Sequence, residues 1–218
     1  ATYWLGRRWR GHLTGILAAA LLASAPQYLQ YWRYAEIDMF FAALIALSMI
    51  PLIIGLEARR GRDAWLGLAG YWTLAGVAFM VKGPYAVIFP LLGVGLWQVQ
   101  SWWEQRRSTT KAEQAPWPKT WIRVWLNPGI LIFLGLILPW YLYMMHHVPA
   151  AKQVFDEETV GRLTQATPHH ESPIFYLTRT VNLGPLVFLL IPGIAYLWKR
   201  GGTWARYYML VWLGGLVF

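Results

Sequence analysis

The chain has 218 residues, 57% of them hydrophobic and only 13% charged, against about 25% charged in an ordinary soluble domain. A water-soluble core of this size has no room for that much apolar sequence, whereas a bilayer takes it up in helices of roughly 20 mostly apolar residues. The net charge of +9 would point to nucleic acid in a soluble domain. Here the basic residues sit in short segments between apolar runs, so orientation in a membrane explains them better; the absence of Cys excludes disulfides and thiolate chemistry.

In chain order, a basic loop with Arg7, Arg8 and Arg10 precedes a first apolar run at 13–28. Further runs follow at 39–56, 64–81, 85–99, 129–145 and 181–198, and another begins near 204. They are too long and too uniformly apolar for barrel strands, which alternate. Backbone groups in lipid must bond within their own segment, so helices are expected. The expected fold is an all-α, polytopic transmembrane bundle of about six to seven spanning helices. The chain starts without Met and ends inside an apolar run, which reads as a fragment of a larger protein; no signal peptide is visible.

Arg7, Arg8, Arg10, Arg59, Arg60, Arg62, Arg106, Arg107, Lys111, Lys119, Arg123, Lys199, Arg200 and Arg206 fall at every second crossing. The intervening crossings hold only Arg33, Lys82, Lys152, Arg162 and Arg179. The first set is therefore placed in the cytoplasm. The 100–127 stretch becomes a cytoplasmic loop, and 146–180 an outward-facing one. Trp117, Trp121 and Trp125 recur every four residues with Lys119 and Arg123 between them, a pattern suited to the headgroup layer.

Three outward places could carry chemistry. The first is Arg33-Tyr34-Ala35-Glu36-Ile37-Asp38, just before the second run. There Asp38 either caps a helix start or serves a site, and an earlier helix start would put Tyr34 and Asp38 on one face. The second is Lys82-Gly83-Pro84, where Lys82 either ends a helix and snorkels to headgroups or contacts a phosphate. The third is the 146–180 loop, where Glu158 and Arg162 have the spacing of a helical ion pair. Arg162 could instead fork onto a phosphate. The pairs His146-His147 and His169-His170 do not have metal-ligand spacing on a helix face, so no metal site is assigned. No phosphate loop or nucleophile elbow is present.

In order, Leu5-Gly6-Arg7-Arg8, Arg33 to Met39, Val81-Lys82-Gly83-Pro84, Leu138-Pro139-Trp140-Tyr141, Glu158 to Leu163 and His170 to Tyr176 resemble the integral-membrane glycosyltransferases of GT-C type. The nearest group is the bacterial protein-mannosyltransferase-like one, which includes the lipid A aminoarabinose transferase. The resemblance implies that the whole chain, 1–218, is part of one transmembrane glycosyltransferase domain in the bacterial inner membrane, with its site facing the periplasm. It implies transfer of a sugar, with inversion, from a polyprenyl-phosphate donor to a glycolipid or protein acceptor, with membrane lipid as the other partner and no cofactor.

By that resemblance Asp38 matches the second acidic residue of the active site, and Lys82 and Arg162 match basic positions near the carrier phosphate. Arg33, Tyr34, Glu158 and His170 are supporting residues. The family's first acid lies upstream of this sequence, and Thr159 and Leu163 depart from the usual His and Phe. A transporter or flippase, or a polysaccharide polymerase or ligase, is the rival reading. Paired broken helices with charges at mid-membrane would favour transport, and the sequence shows neither.

Overall fold

The computed structural model describes residues 1–34, 36–58, 60–107, 122–151, 153 and 187–200. Among these the backbone is helical, with no strands. The helices are α1 (Thr2–Arg10), α2 (His12–Ser24), α3 (Pro26–Arg33), α4 (Ile37–Glu57), α5 (Gly61–Lys82), α6 (Tyr85–Arg107), α7 (Gly129–His147) and α8 (Val187–Arg200). By length and composition α4, α5 and α7 can each cross a membrane, and α2 and the first half of α6 are shorter apolar helices. The protein is an all-α integral membrane protein.

The basic stretch ahead of the first apolar run is not a loop. It forms α1, whose sequence TYWLGRRWR combines three aromatic and three basic residues in one short helix, the composition of an interfacial helix. The first run is also broken. Ala25 adopts an extended conformation and Pro26 opens α3, because proline has no N–H to continue the ladder and disfavours helix in the residue before it. Helix α6 continues to Arg107, into the stretch read as a loop from 100. Nothing between 98 and 107 is Gly or Pro, so the helix persists beyond the apolar segment.

The centre is the antiparallel pair α4 and α5. Their backbones touch where a Cβ on Gly67 would lie 2.5 Å from the Gly55 nitrogen. Small residues at a crossing are how helices approach closely where lipid supplies no hydrophobic drive. Toward one end Leu52, Leu68, Tyr71, Trp72, Val94 and Val124 form a buried cluster. Toward the other, Phe41, Leu44, Ala78 and Ala86 form a second.

Helix α7 runs in the same direction as α5. A Cβ on Gly129 would meet the Ala69 Cα, and one on Gly76 would meet Leu136. Its start is fixed by Asn127, whose side-chain oxygen accepts from Gly129 N at 2.8 Å. The preceding turn is fixed by Trp72, whose indole N–H donates to the Val124 carbonyl at 3.0 Å.

This order makes the two ends distinct. The starts of α4 and α6 and the ends of α3, α5 and α7 share one end. The end of α1 and the start of α5 lie near the other, where Arg8 pairs with Glu57 and Arg10 donates to Tyr196 Oη at 2.7 Å.

Candidate active site

Asp38 and Lys82 meet. Asp38 stands in the first turn of α4 and Lys82 in the last turn of α5. A carboxylate at a helix start and an ammonium at a helix end are each favoured by their own helix dipole. The Lys82 Nζ donates to Asp38 Oδ1 in an ion pair. Both side chains remain open, 37% exposed for Lys82 and 57% for Asp38.

Two local features hold the pair in place. Gly83 has φ 74°, a left-handed conformation that favours glycine, and its N–H bonds back to Phe79 O at 2.7 Å. The chain therefore leaves α5 immediately after Lys82 and re-enters a helix at Tyr85. Beneath the pair, the Phe41, Leu44, Ala78 and Ala86 cluster packs the two helix ends together, with Val81 and Tyr85 against it.

The structure does not make Asp38 the cap of α4. Glu36 occupies the cap position, extended at φ −62° and ψ 138°, with no side-chain cap bond. Nor do Tyr34 and Asp38 share a helix face. Helix α3 ends at Arg33, with Tyr34 as its C-cap, and the extended Glu36 separates the two helices. Arg33 and Tyr34 nevertheless stand at the same end of the bundle, a few residues from Asp38, and Tyr34 is 71% exposed. Helix α7 delivers His146 and His147 to this end, and His147 stacks on Tyr143 with ring centroids 4.3 Å apart. Glu158, Arg162, His170 and the seventh apolar run lie outside the described residues.

From the sequence, Asp38 and Lys82 are expected to converge on one side of the membrane from distant stretches, and the structure brings them together; the ion pair between them was not anticipated. The signal for it was the pairing of a short 58–60 turn with two runs of nearly equal length, which brings the far ends of a helical hairpin back together.

Chemically, the pair sets an acceptor of protons beside a cation at a membrane edge. An ammonium has three N–H donors, and among the described residues Asp38 takes one. Lys82 can therefore reach a phosphate oxygen while Asp38 addresses a hydroxyl. Exposed Trp32, Trp140 and Tyr143 surround this end, as rings do at a membrane–water boundary.

The family model for dolichyl-phosphate-mannose-protein mannosyltransferases matches residues 1–155, which include both Asp38 and Lys82. The chain belongs to that family. Relatives within reach of this mannosyltransferase family member carry a different sugar in their names. It is similar to the undecaprenyl phosphate-alpha-4-amino-4-deoxy-L-arabinose arabinosyl transferase of Yersinia pestis (strain Pestoides F), 26% identical over 97% of this chain and 36% of the relative. It is also similar to arabinosyl transferase 2 of Sodalis glossinidius (strain morsitans), 27% identical over the same shares of each chain. The chain thus spans about a third of the length of the curated relatives it matches. No solved structure gives a significant match.

Proposed function

We propose that the protein is an inverting glycosyltransferase that moves a sugar from a polyprenyl-phosphate donor to a glycolipid or protein acceptor at the non-cytoplasmic end of the bundle, in a bacterial inner membrane. The single observation that carries this reading is the Asp38–Lys82 pair at the end opposite the basic α1 and the 58–62 turn. The relatives' names support an undecaprenyl-phosphate aminoarabinose as the first donor to try.

In this mechanism an acceptor hydroxyl or phosphate oxygen attacks the anomeric carbon from the face opposite the carrier phosphate. The new C–O bond forms as the bond to the phosphate oxygen breaks. The bonding pair leaves with the polyprenyl phosphate, and the proton of a hydroxyl acceptor passes to a carboxylate. Asp38 is the carboxylate assigned that role, and it also orients the hydroxyl. Lys82, with Arg162, stabilises the charge that grows on the leaving phosphate, the interaction that matters most in such a step. Arg33, Tyr34, Glu158 and His170 support the two substrates. The polyprenyl tail lies against the apolar flanks of the helices, so the donor need not leave the membrane.

The test is incubation of the purified full-length protein, in liposomes, with radiolabelled undecaprenyl-phosphate aminoarabinose and lipid A. Label recovered on the acceptor supports the proposal. Label moved across the bilayer without a new glycosidic bond would establish the transporter reading instead.

A further inference from the structure

The other end of the bundle holds a cleft of about 300 Å³ between the turn joining α4 to α5 and the 122–128 segment. Arg60 and Arg123 line it, together with Ala64, Trp65, Ile122 and Leu126. Among the described residues no acidic side chain lines it. Of the two acids flanking it in sequence, Glu57 is paired with Arg8, and Asp63 in the first turn of α5 lies outside the lining. The wall formed by 122–128 is anchored, because Val124 is fully buried under the Trp72 bond and Asn127 holds the start of α7.

The cleft has two chemical zones. Arg60 and Arg123 are both exposed, and a guanidinium fork fits phosphate oxygens in two-point contact. Trp65, one turn further into α5, is 42% exposed, Ile122 54% and Leu126 77%. These apolar surfaces would be costly in water, and a free anion would leave them uncovered. A phosphate carrying acyl chains satisfies both zones at once, and basic pockets between membrane helices bind such headgroups.

We propose that this cleft binds an anionic phospholipid, of the phosphatidylglycerol class, from the leaflet at the basic end. Helix α4, 21 residues long, separates it from Asp38 by about 30 Å at 1.5 Å per residue. It is therefore a second lipid site, independent of sugar transfer.

The experiment is native mass spectrometry of the full-length protein titrated in detergent with phosphatidylglycerol or phosphatidylcholine. Wild-type protein is expected to retain phosphatidylglycerol in preference. The Arg60→Gln/Arg123→Gln double variant is expected to bind it about thirtyfold more weakly, as two arginines facing an anionic headgroup imply. Each single variant should lose about fivefold, which keeps the test open if the double variant fails to fold. Arg62→Gln, on the same turn but outside the cleft, should bind as wild type does. Equal binding of phosphatidylcholine, unchanged binding in the arginine variants, or displacement of the lipid by millimolar inorganic phosphate would each overturn the proposal.

Discussion

Asp38 and Lys82 are 44 positions apart, and their contact joins two groups that sequence reasoning had assigned to separate tasks. An exposed ion pair of this kind contributes about 0–1 kcal/mol to stability, so its value lies in where it places charge. Asp38→Asn in the full-length protein should therefore change unfolding free energy by no more than about 1 kcal/mol, read from denaturation in detergent. Lys82→Ala should raise the concentration of polyprenyl-phosphate donor needed for half-maximal rate far more than that of acceptor. Equal effects on both substrates would argue that Lys82 only positions Asp38. The helix-end location of both residues was legible from the charges flanking the apolar runs. The contact was not, because spacing along a chain says which end a residue occupies and not which neighbour it faces there. The same limit applied to Asp38 as a cap, since the extended Glu36 takes the cap position two residues earlier.

The packing of α4 on α5 decides whether that site is assembled at all. Gly67 sits where backbone meets backbone, and an added methyl has no flexible side chain to push aside. Gly67→Ala should cost about 1–3 kcal/mol by overpacking, measured as a lowered unfolding temperature. Gly61→Ala, where nothing lies within 4 Å, should be neutral or slightly stabilising. The apolar runs announced α4, α5 and α7 with ends close to those observed, because a uniformly apolar stretch bounded by charge has few other solutions in lipid. The break at Ala25–Pro26 and the helical α1 were not announced. The first hinges on one proline inside an otherwise continuous run. The second hinges on aromatic and basic residues that read as a loop until their helical spacing is seen.

The alternation of basic and less basic crossings carries a claim about the whole molecule: the Asp38–Lys82 end faces away from the cytoplasm. These 218 residues contain no Cys, so a single thiol introduced among them has no competitor within this stretch. Tyr34→Cys should react with a membrane-impermeant maleimide in intact spheroplasts, and Arg60→Cys only after permeabilisation. The reverse pattern would invert the topology and detach the site from the periplasm. The order of the apolar helices α4, α5, α6 and α7 was legible because charge marks the segments between them. The approach of α7 to α5 was not, since it rests on Gly129 and Gly76 meeting Ala69 and Leu136. The most direct test of the account is the rate of label transfer from an undecaprenyl-phosphate sugar by the full-length Asp38→Asn protein, beside donor binding in the same preparation. The account predicts transfer reduced by about 10²-fold or more, as loss of a general base implies, with donor binding retained. Wild-type turnover by Asp38→Asn would contradict it.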